Sequence, residues 1–240
     1  MRRWLLSALR HEPARSTPHA AGGGETEAAL ILVHGLWTPP VVFAIQAHRL
    51  QRRGYRVQRF GYPSVRATLA ENVQALRAAV AATAAKQIDL VGHSLGGLLI
   101  LDLLAYDPDP RLGRVVLLGT PSLGSYCARQ LAALTGMPTL LGASIMEWLL
   151  RPPQALLVVP PGIEIGVVAG TRSFGLGRFL VPGLPQPNDG VVALTETRLP
   201  TSADFIALPV AHSQMLTSRH CALQIASFLE QGRFCHDLSP

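Results

Sequence analysis

The chain reads as an α/β protein with a mostly parallel central sheet and helices on both faces. Three observations predict this. Short apolar runs recur along the chain, at 28–33 (AALILV), 88–91, 115–118, 165–169 and 205–210, as strands of a buried parallel sheet would. Segments with helical spacing of apolar residues stand between them, and that alternation implies crossover helices. The composition is 48% apolar and 15% charged over 240 residues, which suits one large core and excludes a largely disordered chain.

Taken in order, residues 1–27 read as a short helix followed by a linker. Trp4, Leu5, Leu6 and Leu9, flanked by Arg2, Arg3 and Arg10, suit either a helix packed on the domain or peripheral contact with a membrane surface. The apolar run from Trp4 to Leu9 is too short for a signal-peptide core, so a cytoplasmic location is expected. Pro13, Pro18 and Gly22 to Gly24 mark the linker. The domain is expected over 28–240. A first strand ends at His34-Gly35, a helix over 41–53 stops at Gly54, and a second strand covers Arg56 to Phe60. An alanine-rich helix spans 67–85. Ile88 to Val91 is the next strand, with a helix after it to about Tyr106, and Val115 to Leu118 follows as a strand. Beyond Gly119 the pattern loosens among Pro138, Pro152, Pro153, Pro160 and Pro161. It recovers in strands at 165–169 and 205–210 and a closing helix over 217–231. There is no internal repeat.

The charge narrows the function classes. The net charge of +6 is almost all arginine, Lys86 being the single lysine. The arginines are scattered apart from Arg49 to Arg59, where Tyr55 and Phe60 make a poor stacking platform, so no nucleic-acid partner is expected. Cys127, Cys221 and Cys235 are too few for a disulfide framework and read as reduced thiols, with a Cys221–Cys235 bridge left open.

Three motifs carry chemistry. Gly92-His93-Ser94-Leu95-Gly96 lies directly after a strand and directly before a helix, which is the setting of a nucleophile elbow. Such a turn brings backbones close enough to require glycine at 92 and 96, and it aims the helix N-terminus at a developing oxyanion. Ser94 is therefore the expected nucleophile, with the Leu95 N–H as one oxyanion donor. His34-Gly35-Leu36-Trp37, at the end of the first strand, supplies the second donor in the Leu36 N–H; Trp37 and His93 are expected to line the substrate site. A serine elbow takes its acid and then its base later in the chain. Asp189 in Pro187-Asn188-Asp189-Gly190 is the leading acid, with Asp204 and Glu164 as rivals. His212, just after the last strand, is the base; His48 comes too early, His220 lies within the closing helix and His236 in the tail.

With these pieces in view, the chain from about Ala28 to Phe234 resembles the bacterial lipase/esterase branch of the α/β-hydrolase superfamily. The resemblance rests on LVHGLW at 32–37, VGHSLGGL at 91–98, LGTPSLGS at 118–125, PNDGVV at 187–192 and AHS at 211–213. It implies the α/β-hydrolase fold, Leu36 as oxyanion donor, Asp189 rather than Asp204 as the acid, and a short cap over 122–162. Ser122 stands where the family more often has histidine. Gln214 stands where calcium-binding relatives carry aspartate, so no metal is expected, and no cofactor is called for.

The leading expectation is hydrolysis of a small-molecule ester or lipid with an apolar acyl group, through an acyl-enzyme. Leu140, Leu141, Ile145, Met146, Trp148, Leu149 and Leu150 in the cap favour greasy substrates, or serve ordinary helix packing. The alternatives are acyl transfer by the same Ser-His-Asp set and a non-catalytic binding protein of the same fold.

Overall fold

The computed structural model describes residues 26–106, 108–150, 159–175 and 181–237. The expected N-terminal helix, its membrane contact and nearly all of the linker lie outside the described residues, as do residues 151–158 of the expected cap. Six strands form one sheet: β1 (Thr26–Val33), β2 (Val57–Phe60), β3 (Ala85–His93), β4 (Leu112–Leu118), β5 (Ile165–Gly170) and β6 (Asp204–Leu208). Their order is β2-β1-β3-β4-β5-β6, and every pair is parallel.

The apolar runs are continuous because both faces of the sheet are covered. Along β1, Ala29, Ile31 and Val33 join one core while Leu30 and Leu32 join the other. In β4, Val115 and Leu117 separate from Val116 and Leu118 in the same way, following the two-residue period of a strand. The first core packs under α2 (Leu69–Ala82), α3 (Leu95–Ala105), α4 (Tyr126–Ala132) and α5 (Met137–Leu150). The second packs under α1 (Ala44–Gln51) and α7 (Arg219–Gln231), while α6 (Leu194–Thr197) is a single turn.

Two elements differ from the sequence reading. The helix expected over 67–85 stops at Ala82, and β3 begins at Ala85, opposite Thr26 of β1. The ladder to β1 outweighs the helix preference of the alanines, because propensity is a weak term beside a long pairing. Its start is fixed by a capping box, in which Thr68 Oγ1 accepts from the Glu71 N–H while Glu71 accepts from the Thr68 N–H. In the loosely patterned region, α5 is two helical pieces meeting at Gly142 (φ 80°, ψ 171°). A Cβ there would lie 2.3 Å from the Val65 carbonyl oxygen, so only glycine permits the contact. All three cysteines are free thiols, and among the described residues no helix is long and apolar enough to cross a membrane.

Candidate active site

The chain places β2 on one side of β1 and β3 on the other, so the strand order reverses between β1 and β3. In open parallel sheets ligands bind at such a switch point, beyond the carboxyl ends of the strands. The loops that leave β1, β3, β5 and β6 carry Leu36, Ser94, Asp189 and His212 to that one rim.

Ser94 follows β3 and precedes α3 with φ 53° and ψ −121°, a backbone conformation that side-chain-bearing residues avoid. Its N–H donates to the Leu118 carbonyl of β4 at 2.9 Å. The elbow is held by close approach. A Cβ on Gly96 would lie 2.2 Å from the Val33 carbonyl oxygen, and one on Gly97 would lie 1.9 Å from Thr120 Oγ1. Gly97→Ala is therefore expected to destabilise the protein by about 1–3 kcal/mol through overpacking, read as a lowered thermal midpoint.

The loop after β1 is braced from below. His34 is buried and stacks on Tyr62 with ring centroids 4.3 Å apart. The Tyr62 hydroxyl donates to the His34 carbonyl at 2.7 Å, and His34 Nδ1–H donates to the Gly35 carbonyl at 2.9 Å. Leu36 is half-buried against the first core. Trp37 adopts φ 59° and is 56% exposed. Its backbone N–H donates to Ser64 Oγ at 3.2 Å and its indole N–H to the Leu140 carbonyl of α5 at 2.7 Å, so the first piece of α5 is tied beside this loop.

Asp189 is buried in a turn that its own sequence builds. Asn188 Oδ1 accepts from the Gly190 N–H at 2.9 Å. Asp189 Oδ1 accepts from the N–H groups of Val191 and Val192 at 2.9 and 2.7 Å, leaving Oδ2 for His212 Nδ1 at 2.7 Å. The His212 N–H also donates to the Asp189 carbonyl at 2.9 Å. The rivals are elsewhere. Asp204 opens β6 at the opposite end of the sheet, where it holds the Phe234 N–H and His236, and Glu164 precedes β5 and pairs with Arg114.

The structure thus joins Asp189 to His212 and brings Ser94 to the same rim. No hydrogen bond joins the Ser94 hydroxyl to the His212 ring among the described residues; in unliganded sites that contact is often long. His93, expected to line the substrate site, is only 4% exposed and its ring engages His212. Sequence reasoning missed the supports. Gln214 Oε1 accepts from the Ala211 N–H at 3.0 Å, and Gln46 of α1 donates to the Met215 carbonyl at 2.6 Å, so the histidine loop is fixed from two sides. Glu196 accepts from the N–H groups of Ala193 and Tyr126, fastening the start of α4; burial raises its carboxyl pKa. No local period signals the contacts from Gln46 to Met215 and from Tyr126 to Glu196, which span so much chain.

Burial is also the main reason the His93 pKa falls well below its usual value, with the neighbouring His212 ring adding to the effect; burial lowers His34 too. The unfolded chain protonates both near pH 6.5 and the fold resists it, so below that pH the unfolded state binds more protons and stability falls. The contribution of these two histidines to the thermal midpoint is expected to be level above about pH 6.5 and to fall as the pH drops below it. His93→Gln, which cannot titrate, should show a smaller drop; equal drops would overturn the assignment.

A family model described as the alpha/beta hydrolase family matches residues 30–225. The fold is similar to that of Bacillus licheniformis lipase BlEst2 in its mature form, at 17% identity over 89% of this chain and 94% of that one, with a TM-score of 0.63. It is similar to a hydrolase from Pseudomonas aeruginosa PA01, at 18% identity over 81% and 86% of the two chains and a TM-score of 0.60. It is similar again to the metagenomic carboxyl esterase MGS0156, at 19% identity over 87% and 71% of the two chains and a TM-score of 0.59. At such identities these likenesses establish the fold alone. No curated protein sequence matches the chain.

Proposed function

The chain belongs to the alpha/beta hydrolase family, and from that premise we propose that it is a serine hydrolase cleaving carboxylic esters with an apolar acyl group. The observation that carries the reading is the Asp189–His212 pair, 2.7 Å apart, on the rim where Ser94 stands at positive φ. Ser94 Oγ attacks the ester carbonyl as His212 Nε2 takes its proton. Asp189 holds the proton on Nδ1 and stabilises the imidazolium. The tetrahedral oxyanion accepts from the N–H groups of Leu95 and Leu36. Collapse expels the alcohol, protonated by His212, and leaves an acyl-enzyme. Water, deprotonated by the same histidine, then releases the acid and restores Ser94.

The apolar preference rests on two exposed apolar side chains, Trp37 on the loop after β1 and Leu140 of α5, whose backbone carbonyl accepts from the Trp37 indole N–H. A panel of p-nitrophenyl esters of graded acyl length tests the reading. Hydrolysis is expected, with kcat/KM higher for medium acyl chains than for acetate. A protein inactive on every ester, and unreactive at Ser94 towards a fluorophosphonate, would overturn it.

A further inference from the structure

We propose that His93 is a positioning residue, which fixes the general base by donating a hydrogen bond from its ring to the backbone of His212. The inference rests on the reading of His212 as that base. His93 Nε2 lies 3.1 Å from the His212 carbonyl oxygen, and the two rings are 4.5 Å apart and tilted by 47°. A carbonyl can only accept, so Nε2 carries the proton and Nδ1 is a bare lone pair. That Nδ1 is buried and has no hydrogen-bond partner among the described residues. It faces the loop after β1, where a Cβ on Gly35 would lie 3.1 Å from it and 3.2 Å from Ser94 Cβ.

Topology supplies the reason for the contact. His212 follows β6, the edge strand, and must reach back past β5 and β4 to meet a nucleophile that follows β3. Its bonds to Asp189 tie one loop to another. His93 is instead the last residue of β3, paired with Leu118 in the middle of the sheet. Its donor therefore refers the base to the same rigid strand that carries the nucleophile. An apolar side chain of similar size would fill the space without leaving a nitrogen unpaired, but it would provide no donor. The titratable groups around the ring are His212, with Asp189 behind it, and His34 of the neighbouring loop.

Two variants separate the donor from the packing. His93→Leu fills the space without a donor, and His93→Gln restores an N–H near the Nε2 position. Thermal melts establish that each variant is folded. His93→Leu is expected to lower kcat by about tenfold to a hundredfold with KM nearly unchanged, because a misplaced catalytic group costs turnover rather than binding. His93→Gln should recover most of the loss. Wild-type kcat in His93→Leu, or equal losses in both variants, would overturn the proposal.

A second readout needs no activity, so it keeps this inference apart from the ester hydrolase reading. In proton spectra at pH 7, the downfield signal of the His212 Nδ1–H bound to Asp189 should be sharp in wild type and in His93→Gln and broadened or lost in His93→Leu. In imidazole nitrogen spectra, His93 should carry its proton on Nε2. A proton on Nδ1, or a His212 signal that is sharp in His93→Leu, would sink the proposal even if the ester panel succeeds. Should the panel fail, the spectra still decide whether His93 orders His212.

Discussion

Ser94→Ala is expected to reduce kcat on the best ester of the panel by on the order of 10⁵-fold while leaving the protein folded. The magnitude follows from how the parts divide the work. On the proposed mechanism no acyl-enzyme forms without the hydroxyl, and His212 has nothing to deprotonate but water. On that mechanism the Leu36 and Leu95 N–H donors and substrate binding still act, and they supply a residual rate above that in water. Retention of more than about a hundredth of wild-type turnover would mean that the nucleophile is elsewhere, since loss of a serine nucleophile costs far more than that.

The same position gives a second, opposite effect. Ser94 is held at φ 53°, where a side chain costs about 1–3 kcal/mol. Glycine removes that strain but loses more entropy on folding, by about 0.5–1 kcal/mol. Ser94→Gly should therefore be inactive yet melt about 2–4 °C higher than wild type. A lowered midpoint would show that the elbow is not strained at this residue. The link between strain and nucleophile placement is then measurable in one residue. The backbone is forced into that turn by the approach of Gly96 to the Val33 carbonyl and of Gly97 to Thr120.

How much of this was legible in the sequence depends on whether the signal was local. β1, β4 and β5 were legible because burial on both faces makes the runs at 28–33, 115–118 and 165–169 within them apolar without interruption. The elbow was legible because its glycines, strand and helix are adjacent in the chain. Asp189 and His212 were singled out through their order after Ser94, and the structure pairs them; the asparagine and glycine that shape the aspartate's turn stand beside it. What stayed hidden depends on distance along the chain. Nothing near Gln46 announces that its amide holds the carbonyls of Met215 and Ser218. The bond from the Trp37 indole to Leu140 crosses from the loop after β1 to a helix whose sequence is broken up by glycine and proline. His93 could be read as a lining residue from its place beside Ser94; that its ring turns to the loop after the far edge strand is a consequence of strand order.

Asp189→Asn should cost about 10⁴-fold in kcat, although it changes few atoms. The reason lies in what each carboxylate oxygen does. Oδ1 accepts from the N–H groups of Val191 and Val192, which would meet two like donors if the amide nitrogen took its place. The asparagine oxygen is thus confined to that side, and its NH₂ is left facing His212 Nδ1. A ring nitrogen facing a donor must offer its lone pair, so the proton of a neutral imidazole moves to Nε2. In that tautomer His212 has no lone pair for the Ser94 hydroxyl and cannot act as its base, even though the geometry is nearly unchanged. Asp204→Asn is the matched comparison. Asp204 holds the Phe234 N–H and His236 at the other end of the sheet, so its kcat should stay within about twofold of wild type, as for a residue outside the catalytic unit. If the large loss fell on Asp204→Asn and spared Asp189→Asn, the acid would be misassigned. A loss in both would point to the fold, which the melting curves of the two variants would reveal.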